Sequence, residues 1–435
     1  MGFLRSARGF LWLVIAAGCG GGAGAPAETG GPSPSNSTSS SGGSTASSSG
    51  VSAAGIPAAD GSTTATADAA ISAPSDASSD GSQVGPPASA GVHAVGNQLY
   101  DGTIAIRLLG VNRSGTEFEC IQGDGIFDGP SDQTSISAIL TWNVNAVRIP
   151  LNEDCWLAIN PPTTKASMYS GSTYQQAISS FVTLLLQNGI YPILDLHWSA
   201  PGTTAATQEY PMPDMDHSVT FWQQVAAAYA SQPKVIFELF NEPYPDHNMD
   251  ATSAWTCWQQ GGACTNLVVA SADGGVPVTY QVAGMQTLVS AVRGAGANNL
   301  ILLGGLEYSN DLTQWLTYEP TDPAGNLAAA WHVYDINECN TTACYTSQGG
   351  PVAAKVPIVA TEIGAAESDN CTGEGATFIT GIMDWLDAPG QGVAAQSYLA
   401  WAWNTDVKPS LISNYNGTPV CYGSTYETHL QSFSP

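Results

Sequence analysis

The chain has 435 residues, 43% of them hydrophobic, which is enough for a sizeable core in one large domain or two ordinary ones. Only 11% are charged, and 36 acids against 10 bases leave a net charge of −26. That balance argues against a nucleic acid partner, whose phosphates need a basic face, and against an anionic membrane surface, while a neutral substrate stays open.

In chain order, residues 1–19 read as a signal peptide. Arg5 and Arg8 precede the apolar run GFLWLVIAAG, which is too short to span a bilayer. The stretch IAAGCGG resembles a bacterial lipobox, with Ala16 where a larger aliphatic residue is more usual. On that resemblance Cys19 is the lipidated first residue of the mature protein; plain secretion is the alternative. Export is expected in both cases, and the only membrane contact expected is through a lipid on Cys19. Residues 20–92 are rich in Ser, Gly, Ala, Thr and Pro and hold no aromatic residue, Lys, Arg or Cys. Such a stretch has too little apolar surface to offset the entropy of ordering it, so a disordered tether is expected.

From residue 93 to 435 the composition is uniform, and a single catalytic domain is expected. Eight short apolar runs end in polar residues: 104–112, 145–151, 191–198, 235–243, 299–305, 327–334, 356–364 and 396–404. Between them, 173–189, 218–233 and 279–296 repeat apolar residues at helical spacing. Strands alternating with helices predict a parallel sheet, and eight such units predict a closed (β/α)8 TIM barrel in the α/β class. No GxGxxG or Walker loop sits where a nucleotide fold needs one. Setting Cys19 aside, the cysteines are 120, 155, 257, 264, 339, 344, 371 and 421. An even number in an exported chain favours disulfides. Cys257–Cys264 and Cys339–Cys344 are close enough to staple loops, which leaves Cys120–Cys155 and Cys371–Cys421 among the open pairings.

In a TIM barrel the chemistry sits at the carboxyl ends of the strands. Those ends carry Asn112, Arg148, His197, Asn241 with Glu242, Glu307, His332 with Tyr334, Glu362 and Trp403. Each alone has a bland reading: a glutamate at a strand end is usually solvated, and a histidine is usually a structural donor. Together they are harder to dismiss. Glycosidic bonds break through an oxocarbenium-like transition state that needs an acid and a second carboxylate. Glu242 after the fourth strand and Glu362 on the seventh would face each other across the barrel mouth.

The residues that carry these ends are Arg148 in NAVRIP, His197 in LDLHW, Asn241 and Glu242 in FNEP, His332 and Tyr334 in WHVY, Glu362 in VATEIG and Trp403 in WAWN. In that order they resemble glycoside hydrolase family 5, the cellulase family, over residues 104–404. The resemblance implies that Glu242 is the general acid and then the base, and that Glu362 is the nucleophile. It places Arg148 and Tyr334 on Glu362 and Asn241 on the sugar 2-hydroxyl. It places His197 and His332 on sugar hydroxyls or the catalytic pair, and the face of Trp403 under the sugar, with Trp401 as its rival. Glu238 is expected to be structural, paired with Arg107 or Arg113. Glu307 and Tyr308 are further subsite candidates, while Trp198 and Trp258 are either platforms or packing.

The expected substrate is a β-linked polysaccharide or oligosaccharide, with endo-β-1,4-glucanase action first, and β-mannanase or exo-acting β-glucosidase as alternatives. The remote alternative is a surface sugar-binding protein without catalysis. A monomer is expected. No metal or organic cofactor is implied, since no cluster such as HExxH or DxDxDG is present.

Overall fold

The computed structural model describes residues 91–433 apart from 271–274, 366–370 and 372. The expected leader, Cys19 and the tether as far as residue 90 lie outside the described residues. No helix among the described residues is long and apolar enough to cross a membrane.

Eight parallel strands close into a barrel: β1 (Leu109–Asn112), β2 (Ala146–Asn152), β3 (Tyr191–Trp198), β4 (Ile236–Glu238), β5 (Ile301–Gly304), β6 (Leu327–Tyr334), β7 (Ile358–Gly364) and β8 (Ser397–Ala400). Chain order is spatial order, and β8 closes on β1 through Tyr398 opposite Leu109 and Ala400 opposite Val111. The outer layer is α1 (Gln133–Leu140), α2 (Ser172–Gln187), α3 (Ser218–Tyr229), α4 (Met285–Gly294), the single turn α5 (Trp315–Tyr318), α6 (Thr342–Ala353), α7 (Glu374–Asp387) and α8 (Gly423–Gln431). The TIM barrel expected from the alternating pattern is therefore present.

Strand alternation divides the apolar residues between two cores. Ala146, Ile193, Ile236, Leu300, Leu302, Ala328, Ala330, Val359 and Leu399 fill the lower barrel interior. Their neighbours, such as Val147, Leu194, Phe237, Leu303 and Ala360, join the outer core that includes helix residues. In α2 that core takes Tyr174, Ile178, Phe181, Val182 and Leu185, the stripe a 3.6-residue period requires. One step up the inner face, the interior turns polar: Arg148, Asp195, Glu238, His332 and Thr361 are all fully buried.

Two predicted elements are divided within their runs. The run 104–112 is two strands: Ile104–Ile106 belongs to a three-stranded antiparallel sheet with Val92–Val95 and Gln98–Asp101, and β1 starts at Leu109. Between them Arg107 turns aside to Asp387 and the Gln396 carbonyl. The predicted helix 279–296 begins instead with Gln281–Ala283, paired with Gly261–Ala263, and α4 starts after Gly284. A Cβ on Gly284 would lie 2.3 Å from the Gly261 nitrogen, so this close approach requires glycine.

The small antiparallel sheet covers the amino-terminal end of the barrel. Val92 and Leu99 join the interior cluster, Val92 N–H donates to the Pro233 carbonyl, and Ala94 N–H donates to the Asn326 side chain. Four disulfides are present: Cys257–Cys264 and Cys339–Cys344, which sequence proximity favours, and Cys120–Cys155 and Cys371–Cys421, two of the pairings that the sequence leaves open. Cys120–Cys155 ties the long β1–α1 connection to the segment after β2, which a short hydrophobic contact could not hold against loop entropy.

Candidate active site

Arg148 organises the polar layer. Its inner-facing position on β2 leaves it fully buried, and every arm of the guanidinium has an acceptor. Nε donates to Glu238 at 2.7 Å, Nη1 to Glu362 at 2.6 Å and Asn112 at 3.0 Å, and Nη2 to Asn241 at 2.7 Å and Asp195 at 3.0 Å. A planar fork with five N–H groups suits this role, and a lysine would leave several acceptors bare. Burial lowers its pKa, but Asp195, Glu238 and Glu362 outweigh that and raise it, so it is a fixed cation. The partner of Glu238 is thus Arg148. Arg107 and Arg113 are engaged with Asp387 and Asp128.

Glu362 comes from β7, where the pairing register shifts between Ala360 and Ile363. A regular strand sends adjacent residues to opposite faces; here Thr361 and Glu362 both reach the inner cluster. Thr361 donates to Glu238 at 2.8 Å, while Glu362 takes Arg148 on Oε1 and the Tyr334 hydroxyl on Oε2 at 2.6 Å. Burial pushes the Glu362 pKa up, yet His332 and Arg148, followed by His197 and Tyr334, bring it below the ordinary carboxylate value. It is held ionised.

Glu242 follows β4. Leu239 and Asn241 continue the hydrogen bonding to Leu302 and Leu196, and Pro243 then fixes the exit of the chain. His332 Nδ1 lies 2.8 Å from Glu242 Oε1 and 3.8 Å from Glu362 Oε2, and Nε2 lies 3.1 Å from the Thr361 hydroxyl. One oxygen of each glutamate and one His332 nitrogen all fall within 4.8 Å of one another. Burial lowers the His332 pKa, but Glu362, Glu238 and Glu242 raise it to about 10. At these distances His332 bridges the two carboxylates, and the trio forms a hydrogen-bonded cluster.

The structure thus brings together Arg148, His197, Asn241, Glu242, His332, Tyr334 and Glu362. His197 Nδ1 meets Asp195 at 2.7 Å, and its ring lies parallel to Trp401, 5.5 Å between centroids. Trp403 is placed elsewhere. Its ring packs edge-on to Trp142 at 4.9 Å and would touch a Cβ on Gly417, between the barrel and α1. Regular strand geometry ends at Ala400, so the two-residue period that would put Trp401 and Trp403 on one face no longer applies.

Among the flanking candidates, Tyr308 stacks on Tyr244 at 4.5 Å, and Trp258 is core, donating to the Gly304 carbonyl. Glu307 is half-buried, and burial, with Asp311, Glu338 and Asp250, raises its pKa to about 7.

Two site residues escaped the sequence reading. Asp195 stands two residues before His197 on the same strand face, and that alternation was its available signal. Glu209 lies in the long β3–α3 loop, where no periodicity marks it. Its carboxyl accepts from Asn241 at 2.9 Å.

Residues 111–407 match the family profile described as Cellulase (glycosyl hydrolase family 5). A manganese-dependent endoglucanase of Phanerodontia chrysosporium is 26% identical over 245 residues, which is 53% of this chain and 53% of that protein. An endoglucanase of Neurospora crassa is 28% identical over 256 residues, 56% of this chain and 54% of that protein. The chain therefore spans about half the length of these curated relatives. Among solved structures, a hyperthermophilic endocellulase of Pyrococcus horikoshii matches with a TM-score of 0.58 at 16% identity, covering 79% of this chain and 99% of that one. A β-glucanase of Saccharophagus degradans, solved also with cellotetraose, gives 0.56 at 20% identity, covering 78% and 93%. These likenesses extend to the fold, and the profile match over most of the barrel, with the acid cluster at its mouth, shows that the chain belongs to the cellulase family, glycosyl hydrolase family 5.

Proposed function

We propose that the protein is a retaining β-glycoside hydrolase acting as an endo-β-1,4-glucanase, with Glu242 as acid/base and Glu362 as nucleophile. The observation that carries this is the 4.8 Å grouping of Glu242, His332 and Glu362 at the barrel mouth. Retaining enzymes hold their carboxyls about 5–5.5 Å apart, whereas inverting enzymes leave about 6.5–9.5 Å for a water. Endo action on a glucan is supported by the two endoglucanase relatives.

Glu362 attacks the anomeric carbon as Glu242 gives its proton to the leaving oxygen. A water then releases the sugar from Glu362 as Glu242 takes a proton back. Asn241 supplies a donor for the sugar 2-hydroxyl, and Trp401, nearly fully buried and stacked on His197, rather than Trp403, is the tryptophan that adjoins the site. Export is part of the proposal: four disulfides suit an oxidising compartment.

The test is product analysis on carboxymethyl cellulose, galactomannan and an aryl β-glucoside, with the first anomer read by proton NMR. Retained β-product and chain shortening of the cellulose derivative are expected. An inverted first product, or full activity in Glu362→Ala without azide, overturns the mechanism; galactomannan or the aryl glucoside as preferred substrate overturns the glucanase assignment.

A further inference from the structure

Glu209 has no part in the scheme above, yet it is built into the same cluster. Its side chain is 15% exposed, and its Oε1 lies 2.9 Å from Asn241 Nδ2 and 3.6 Å from His197 Nε2. Only the first distance is of hydrogen-bond length, so this oxygen is committed to Asn241. The loop that brings it there is clamped by Tyr244, which follows Glu242 and Pro243 in the chain. The Tyr244 hydroxyl donates to the Glu209 carbonyl at 3.1 Å, and the Tyr244 N–H donates to the Pro211 carbonyl at 2.9 Å. Both bonds end on main-chain oxygens of the loop, so neither depends on the Glu209 side chain.

The polar groups of Asn241 can be accounted for one by one. Its backbone N–H donates to the Leu196 carbonyl at 3.1 Å, and its carbonyl accepts from the Ser309 hydroxyl at 2.7 Å. Its Oδ1 accepts from Arg148 Nη2 at 2.7 Å. Arg148 only donates, so the amide oxygen must face Arg148 and the amide nitrogen must face Glu209. Arg148 alone would settle the flip of the amide and leave its plane free to swing about that one bond. With the nitrogen held as well, the plane is fixed. Nδ2 carries two hydrogens and makes one hydrogen bond among the described residues, to Glu209. The second hydrogen is therefore aimed in a set direction, and it is the one left for a sugar hydroxyl. A carboxyl oxygen accepts an N–H whether the group is ionised or neutral, so this role does not depend on the charge of Glu209.

We propose that Glu209 is a positioning residue of the reaction centre, whose hydrogen bond to Asn241 holds that amide in the orientation that meets the sugar 2-hydroxyl. The proposal rests on the reading of Asn241 as the 2-hydroxyl donor. That contact strengthens in the transition state, so a misdirected amide costs turnover more than binding. No proton or electron pair passes through Glu209; it acts on the sugar only by way of Asn241.

Two variants test this, each measured at its own pH optimum. Glu209→Leu removes both oxygens and keeps the bulk, while Glu209→Gln keeps an oxygen to which Asn241 can donate. On a nitrophenyl β-cellobioside, Glu209→Leu should lower kcat by about 10- to 100-fold and change KM by less than about twofold. Glu209→Gln should restore kcat to within about threefold of wild type. On the analogue lacking the 2-hydroxyl of the sugar at the cleaved bond, wild type and Glu209→Leu should differ by less than about threefold, because the oriented amide has nothing to meet. A merely structural role would slow both substrates alike. The second measurement needs no turnover: amide NMR of the full chain with isotope-labelled asparagine, the Asn241 side-chain signals being identified by their loss in Asn241→Ala. In the wild type one of the two amide protons should exchange slowly with water, and in Glu209→Leu both should exchange fast. Equal losses on the two substrates, a Glu209→Gln enzyme as slow as Glu209→Leu, or two fast-exchanging protons in the wild type overturns the proposal. Should the wild type cleave neither β-glucan nor the cellobioside while one proton exchanges slowly, the assigned function fails, and with it the sugar contact, while the orienting bond stands.

Discussion

Tyr334→Phe removes a single hydroxyl from the proposed nucleophile. The ring is seated against Gly364, where a Cβ would come within 2.5 Å of it, so phenylalanine keeps the seat. What is lost is the 2.6 Å hydrogen bond to Glu362 Oε2. A hydrogen bond to a charged group contributes about 1.5–3 kcal/mol. In the first half-reaction Glu362 gives up its charge as it bonds to the sugar; in the second it leaves as a carboxylate and needs the donor again. The variant should therefore release the sugar slowly, by about 10- to 150-fold at 1.36 kcal/mol per decade. Stopped-flow cleavage of a dinitrophenyl β-cellobioside should show a burst of phenolate near the enzyme concentration, with kcat and KM falling together. The pKa of Glu362 is depressed in the wild type, so activity is present above it and lost as pH falls through it. Losing a donor to the ionised form raises that value, and the acid limb should climb by about one to two pH units. An unchanged kcat, or a fall in kcat with no burst and a constant acid limb, would refute the reasoning.

Arg148→Lys should abolish detectable turnover and destabilise the fold by about 3–5 kcal/mol, because three buried carboxylates lose their shared fork; denaturant midpoints with unchanged slope check this. Trp401→Ala should raise KM for cello-oligosaccharides, whereas Trp403→Ala should cost about 3–5 kcal/mol of stability without raising KM in the folded enzyme; a raised KM in the latter would return Trp403 to the sugar. Glu153 is fully buried with Oε1 unpartnered, and burial and Asp214 raise its pKa well above the ordinary value. The folded state then binds that proton more tightly than the unfolded chain, so stability falls as pH rises above about 4.5 towards the folded value. Glu153→Gln should raise Tm at pH 8 more than at pH 5, read by calorimetry; equal shifts at both values would contradict it.

The barrel was legible because its strands are buried on both faces and its chemistry breaks that pattern. Arg148, His197 and His332 stand out from runs of Ile, Leu, Val and Ala, and the parity of the strand sends them inward. Parity also explains the failures. It holds only while the chain is a strand, and at Trp401 it no longer is, so Trp403 was carried to the wrong side. The run 104–112 conceals a turn because Arg107 lies among apolar neighbours, and only its partners Asp387 and Gln396, far along the chain, show where it goes. The register joining Asp195 to Glu238 across β3 and β4 is a long-range fact, and it decides that Arg148, and neither Arg107 nor Arg113, neutralises Glu238. Glu209 sits in a loop, where nothing periodic separates a functional acid from a solvated one.

The small sheet built from residues 92–106 stoppers the cylinder at the end away from the glutamates, and the backbone departs from it at Gly91. Gly91, where the described residues begin, lies at that closed end, while the reactive rim faces the other way. A fusion joined directly at Gly91 should leave turnover untouched, and an enzyme immobilised through Gly91 itself would present its open side outward to an insoluble glucan.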